Sequence, residues 1–260
     1  MLGPSRRGWL LAAIAAPIVA GAAIGALVLL ASGDGDERRF SVGEGVRSAL
    51  VLRPERHAPG RPVVVFTHGW TAIDPEAYGA WMRHLADRGV DVVMPVYQER
   101  PFVDVRTPLA NVIAALRAAF RRLPGHGPVV AAGHSAGGAL SADWAASARS
   151  AGLPRPAAVY AVYPGRGLGR ALLLRGPSLR TIDPATRLLA LASPRDAVVG
   201  TEWARAMIAE PTQIPRARRE LRIVRDPRVG HHNAPLATDP VAQRTFWRPL
   251  DRLLARAAAP

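Results

Sequence analysis

The chain has 260 residues, no cysteine and a formal net charge of +14. This length suits one well-buried α/β domain, and the lack of cysteine excludes disulfides, a thiolate nucleophile and cysteine-based metal sites. All 34 basic residues are arginines, which are scattered along the chain and not interleaved with aromatic side chains. We therefore predict a solvated basic surface and no nucleic-acid partner.

Residues 1–33 are predicted to form an N-terminal membrane helix. The run Trp9–Ala31 is uncharged and mostly apolar, and it is long enough for a helix that crosses a bilayer. Arg6 and Arg7 precede this run and acidic residues follow it, so the positive-inside rule places the rest of the chain outside the cytoplasm. The arginine pair also resembles a twin-arginine export signal. An uncleaved anchor is favoured, and a secreted form cut near Ser32 is the alternative.

Residues 34–46 are predicted to be a linker, and residues 47–260 a single α/β domain. Apolar strand-like runs alternate there with helical segments, which is typical of a mostly parallel sheet with helices on both faces. The predicted strands are residues 47–53, 62–67, 90–96, 128–132, 157–163, 187–192 and 221–224. The predicted helices are residues 76–88, 108–123, 139–146 and 241–258.

The motif Gly-His-Ser-Ala-Gly, Gly133–Gly137, follows the predicted strand 128–132 directly and precedes good helix formers. A G-x-S-x-G turn reverses the backbone sharply from strand to helix, and its glycines leave room for that passage. Ser135 is then expected at a helix N-terminus, where the dipole and the free N–H groups favour developing negative charge. The alternative is a glycine-rich turn around an unreactive serine.

A nucleophilic serine needs a histidine base, and the base needs a carboxylate that fixes its tautomer. His231 and His232 follow the last predicted strand, at the sheet edge where α/β folds collect functional groups. Asp196 follows the strand 187–192 and is the predicted carboxylate. Three rivals, whose positions are more typical of a turn, a helix and a strand end, are Asp183, Glu202 and Asp226.

A predicted oxyanion hole lies after the strand 62–67, where His68, Gly69 and Trp70 follow. Gly69 allows a tight turn that would present the Trp70 N–H beside that of Ala136, the residue after the serine. Such donors stabilise the charge that appears in the transition state, and losing one costs about 3–4 kcal/mol. Taken alone, the His-Gly pair is equally compatible with a simple strand-end turn.

These features together resemble the α/β-hydrolase superfamily over residues 47–260: a His-Gly turn, a serine turn, then acid and base in the order Ser135, Asp196, His232. The stretches His232–Pro235 and Gly133–Ser135 are similar to those of bacterial polyester hydrolases and cutinase-like esterases. This similarity favours His232 over His231 as the base.

Two departures bear on the branch of the superfamily. Polyester hydrolases commonly carry a C-terminal disulfide, which this cysteine-free chain cannot form. Dienelactone hydrolases are similar in size but use a cysteine nucleophile.

The resemblance implies a serine hydrolase that cleaves a small-molecule or polymeric carboxylic ester, and the predicted N-terminal membrane helix would place it at the outer face of the membrane. No cofactor and no metal is expected, because no Cys/His cluster or glycine-rich phosphate loop is present. Two other functions stay open: acyl transfer to a lipid or cell-wall alcohol, and a non-catalytic binding domain. The segment between the strands 157–163 and 187–192 is too short for a large helical lid, so we expect a minimal cap.

Overall fold

The structure is a computed structural model that describes residues 38–56, 58–99, 104–167 and 174–258. The predicted membrane segment Trp9–Ala31 lies outside these ranges. Within them, every helix is too short or too polar to cross a bilayer.

The described residues form an eight-stranded sheet. Its strands are β1 (Arg39–Val42), β2 (Ala49–Leu52), β3 (Val63–Thr67), β4 (Asp91–Pro95), β5 (Val129–His134), β6 (Ala158–Val162), β7 (Arg187–Ala192) and β8 (Arg219–Ile223). They lie side by side in the order β1-β2-β4-β3-β5-β6-β7-β8. Only β1 and β2 run antiparallel to their neighbours, so the predicted mostly parallel sheet is confirmed.

Helices cover both faces of the sheet, as predicted. They are α1 (Gly79–Asp87), α2 (Pro108–Arg121), α3 (Ala136–Ala151), α4 (Glu202–Ala209), α5 (Pro240–Ala242) and α6 (Arg248–Ala258), with a π-helical turn at Gln243–Trp247. Helices α2, α3 and α4 contribute to one apolar core and α1 and α6 to the other.

Strand β3 shows why two cores form. Successive side chains of a strand point to opposite faces, so Val63 and Val65 enter the core under α3 while Val64 and Phe66 enter the core under α1. A strand that is buried on both faces is a continuous apolar run, and β3 has this pattern from Val63 to Phe66. Its carboxyl end is therefore held firmly between two packed layers.

The structure differs from the expected linker over residues 34–46. Strand β1 lies within that range and pairs with β2, with Phe40 opposite Val51. The Phe40 ring packs against the α3-side core, and the Arg122 guanidinium lies 5.5 Å from its centroid. Four residues with two apolar side chains are too few for a clear period-2 signal, so only the pairing with β2 reveals the strand. The folded domain therefore begins before residue 47.

The first turn of α3 lies very close to the end of β3. A Cβ added at Gly137 would overlap the carbonyl oxygens of Thr67 and His68, which are backbone atoms that cannot rotate away. Glycine is required here because it alone permits this approach. The approach places the serine turn next to the predicted oxyanion turn.

We predict that Gly137→Ala destabilises the protein by about 3 kcal/mol, because the new methyl group meets backbone and the helix must move outward. The matched control is Gly138→Ala, whose Cβ would lie 3.1 Å from the Pro164 side chain and 3.3 Å from the Gly133 carbonyl oxygen, which are tight contacts without the overlap found at Gly137. Both substitutions raise helix propensity equally. Chemical denaturation measures the two losses, and equal effects would contradict the close packing at Gly137.

Candidate active site

Ser135 lies between β5 and α3 with its backbone in a strained conformation. Its φ is 56° and its ψ is −124°, and a positive φ costs a non-glycine residue of order 1–3 kcal/mol. The surrounding hydrogen bonds hold this geometry: its N–H donates to the Val162 carbonyl (3.0 Å), and its carbonyl accepts from the N–H groups of Ala139 (3.2 Å) and Gly165 (3.1 Å). The sheet, the helix and the loop after β6 therefore all fix the serine.

His232 connects Ser135 to Asp196. Its Nε2 lies 2.9 Å from Ser135 Oγ, and its Nδ1 lies 2.8 Å from Asp196 Oδ2. A carboxylate can only accept, so Nδ1 carries the proton and Nε2 presents a lone pair to the serine hydroxyl. The structure thus brings together the three predicted residues in an arrangement that can take a proton from Ser135.

Asp196 is buried, and both of its carboxylate oxygens are hydrogen-bonded. Oδ1 accepts hydrogen bonds from the N–H groups of Val198 (2.9 Å) and Val199 (3.2 Å), while Oδ2 faces His232. Burial by itself raises the pKa of a carboxyl group. The hydrogen bonds from His232, Val198 and Val199, together with the attraction to a protonated His232 ring, outweigh that effect here and lower the pKa of Asp196. The group is therefore an ionised carboxylate that can stabilise a cationic His232.

The predicted oxyanion turn passes over Ser135. A Cβ added at Gly69 would lie 3.5 Å from Ser135 Cβ, and the ring of the next residue, Trp70, packs against Tyr97 with the centroids 6.4 Å apart. Ala136 is the first residue of α3, so its N–H has no acceptor within the helix. Ala136 therefore follows the serine directly, and Gly69, the residue before the other predicted donor, lies against the serine side chain.

Two side chains hold the oxyanion turn in shape. His68 is fully buried, stacks on Tyr97 at 4.2 Å and donates from Nδ1 to the Gly69 carbonyl at 2.8 Å. Burial lowers the pKa of His68 to about 4, so the ring is neutral. Thr71 has a positive φ of 68°, and its N–H donates to the buried Gln98 Oε1 at 3.0 Å. The hydrogen bonds from His68 and to Gln98 therefore fix this strained turn.

Residues 64–209, more than half of the chain, match the model of the family described as alpha/beta hydrolase fold. The chain belongs to the alpha/beta hydrolase fold family.

Solved structures of this fold are similar to the chain at low sequence identity. Thermogutta terrifontis esterase 2 phosphorylated by paraoxon has a TM-score of 0.64 at 19% identity, over 85% of this chain and 94% of that one. The butyrate-bound form of that esterase has a TM-score of 0.61 at 19% identity, over 80% and 88%. A putative dienelactone hydrolase from Klebsiella pneumoniae has a TM-score of 0.59 at 18% identity, over 80% and 92%. A comparison with curated proteins found no match.

The other sequence candidates have different surroundings. His231 is exposed, and its carbonyl accepts from the Ala234 N–H. Asp183 and Asp226 form ion pairs with Arg155 and Arg228 respectively, and Glu202 begins α4. Within the described ranges, no group of three or more potential ligands could hold a metal ion.

Sequence analysis missed two residues that touch this site, His134 and Tyr78. His134 is buried beside Ser135, with Nδ1 2.8 Å from Tyr78 Oη and Nε2 2.9 Å from the His232 carbonyl oxygen. Position 134 is the variable residue of a G-x-S-x-G motif, and Tyr78 lies among the apolar residues of the predicted helix 76–88. Tyr78 packs in the core as an apolar residue would, so only its hydroxyl group could have indicated a role in the site.

A buried ion pair that sequence analysis also missed anchors the loop after β6. Arg166 donates from both terminal nitrogens to the Asp143 carboxylate on α3, at 2.9 and 2.5 Å, and its guanidinium lies 4.2 Å from the Trp203 ring centroid. Burial raises the pKa of Asp143 to about 6, against the opposing effect of Arg166. The pair holds Gly165, the residue whose N–H donates to Ser135.

We predict that Asp143→Asn lowers the free energy of unfolding by about 3 kcal/mol at neutral pH, because it leaves the Arg166 guanidinium buried without its counter-charge. The matched control is Asp183→Asn, whose partner Arg155 is 61% exposed. That change should cost less than about 1 kcal/mol. Denaturant unfolding of both variants tests this, and equal losses would contradict a buried pair.

Proposed function

We propose that this protein is a serine hydrolase that cleaves carboxylic esters through an acyl-enzyme intermediate. The observation that carries the proposal is the continuous hydrogen-bonded chain from Ser135 Oγ through His232 to the buried Asp196 carboxylate. A nucleophile, a base and an orienting acid in this geometry activate a hydroxyl group that is otherwise unreactive at neutral pH.

In the proposed reaction Ser135 Oγ forms a bond to the ester carbonyl carbon while its proton passes to His232 Nε2. The carbonyl oxygen becomes an oxyanion, which the N–H groups of Ala136 and Trp70 stabilise. The intermediate then expels the alcohol, which takes the proton from His232. Water repeats the sequence at the acyl group, releases the carboxylic acid and returns the proton to Ser135.

The structural neighbours support an ester as the bond that is cleaved. Two of them are structures of an esterase, one phosphorylated by paraoxon and one bound to butyrate. Within the family, the stretch His232–Pro235 favours the polyester-hydrolase and cutinase-like side. Serine at position 135 differs from the cysteine nucleophile of dienelactone hydrolases, so we propose an esterase and not a lactone-cleaving relative.

We predict that the full-length protein reacts with a fluorophosphonate probe and hydrolyses p-nitrophenyl esters, and that Ser135→Ala abolishes both. Members of a triad act as a unit, so His232→Ala should also lower kcat/KM by a factor of about 10⁴ or more. The matched control is His231→Ala on the exposed neighbouring histidine, which should retain parental activity. If His231→Ala is the more damaging change, the base is wrongly assigned.

The location of the reaction rests on the sequence alone. We propose that residues 1–33 anchor the domain at the outer face of the membrane, because Arg6 and Arg7 precede an apolar run of spanning length.

The rim of the site favours short or extended acyl groups. Of the described residues between β6 and β7, only Leu179–Thr181 form a helical turn, of 3-10 type. Val198 is 43% exposed, and its N–H donates to Asp196 Oδ1. We propose that a site without a large helical cap encloses little of a long acyl chain.

We predict that activity falls with acyl length when esters from about two to about sixteen carbons are compared, since little apolar surface of a longer chain is buried. No jump in the rate of hydrolysis is expected at the critical micelle concentration of the ester, the micelle threshold. Steady-state assays below and above that threshold measure both. A preference for the longest esters with interfacial activation would show that a lid covers the site.

A further inference from the structure

His134 is a buried histidine beside the nucleophile that the proposed chemistry does not use. Its side chain lies between Tyr78 Oη, 2.8 Å from Nδ1, and the carbonyl oxygen of His232, 2.9 Å from Nε2. Tyr78 Oη also lies 3.1 Å from the backbone nitrogen of Gly69. Tyr78 and His134 therefore connect the oxyanion turn, the serine turn and the backbone of His232.

The donor and the acceptor in each hydrogen bond follow from the two backbone groups at the ends of this chain of bonds. A carbonyl oxygen can only accept, so Nε2 of His134 must carry a proton and donate to His232. The Gly69 N–H can only donate, so Tyr78 Oη accepts from it and directs its own hydrogen to Nδ1 of His134. Burial, together with repulsion from His232, lowers the pKa of His134 to about 3, and the ring is neutral. A neutral Nε2–H tautomer satisfies all three contacts.

We propose that Tyr78 and His134 are positioning residues, which hold the oxyanion turn and the base in register with Ser135 through one hydrogen-bond chain. The chain runs from the Gly69 N–H through Tyr78 and His134 to the His232 carbonyl. This inference rests on the proposed function, because register with Ser135 matters only if Ser135 reacts.

The Tyr78 hydroxyl is the link between the His134 ring and the Gly69 turn. Without it, Nδ1 of His134 has no donor and the chain is broken between Tyr78 and His134. The His232 carbonyl still keeps the proton on Nε2, because in the Nδ1–H tautomer a lone pair of Nε2 would face the lone pairs of that carbonyl. The base and the Gly69 turn then lose their common support, and a small displacement of reacting groups is costly to the rate.

The kinetic test uses the full-length protein and three substitutions. Tyr78→Phe and His134→Leu should each lower kcat about tenfold or more, because the reacting groups are misplaced. KM should change by less than about twofold, since ground-state binding is not altered. His134→Gln retains an N–H donor that can reach the His232 carbonyl, so it should recover most of the activity lost in His134→Leu.

The matched control for Tyr78→Phe is Tyr160→Phe. Tyr160 is also a buried tyrosine with a hydrogen-bonded hydroxyl. Its hydroxyl donates to the backbone carbonyl of Phe246 at 2.8 Å and takes no part in the chain of bonds described above. Tyr160→Phe should lower stability by a similar amount and leave kcat unchanged. Equal kcat values for Tyr78→Phe and Tyr160→Phe would overturn the proposal.

A spectroscopic measurement distinguishes a positioning role of Tyr78 and His134 from a purely structural one. It does not depend on enzymatic turnover. In protein labelled with ¹⁵N-histidine, the signals lost in His134→Gln identify His134. They should show a protonated Nε2 and an unprotonated Nδ1 at neutral pH, and Tyr78→Phe should shift the Nδ1 signal, which loses its hydrogen bond, while Nε2 stays protonated. A parent protein with Nδ1 protonated, or an unchanged Nδ1 signal in Tyr78→Phe, would overturn the proposal even if the esterase assay succeeds. Absence of esterase activity in the parent would overturn only the proposed function.

Discussion

The close approach of α3 to the end of β3 is the constraint on which the candidate site depends. It requires glycine at position 137, because any side chain there would overlap the carbonyl oxygens of Thr67 and His68. It also requires the strained backbone of Ser135, which turns the chain from β5 directly into α3. A site built in this way brings the first N–H groups of a helix to the same point as the nucleophile, where they can meet a developing negative charge.

Burial sets the charge state of the groups around this point. His68 and His134 are kept neutral because burial lowers the pKa of each, whereas Asp196 stays ionised because its hydrogen-bond donors outweigh the cost of burial. The site therefore holds one permanent negative charge, and it lies directly behind the histidine that becomes positive in the proposed reaction. The neutral ring of His134, whose centroid lies 4.9 Å from that of His232, adds no competing cation.

Much of the fold could be predicted from the sequence because its signals are local. The long apolar runs that became β3, β5 and β7 are buried on both faces, and such strands need no partner to be recognised. Strand β1 could not be predicted in this way, since its four residues are half exposed and its pairing with β2 is what defines it. The π-helical turn at Gln243–Trp247 likewise interrupts a helix predicted as continuous over 241–258.

The sequence by itself determined the order of the candidate triad and the two turns that carry the proposed oxyanion donors, because G-x-S-x-G and His-Gly require glycine for backbone reasons that are visible in the chain. Only the tertiary structure decided which groups support them. The contact of His134 with the His232 carbonyl spans 98 positions, and the ion pair of Asp143 with Arg166 joins α3 to the loop after β6. Contacts of this kind depend on how helices and strands pack around a buried polar group, and no periodicity along the chain records that packing.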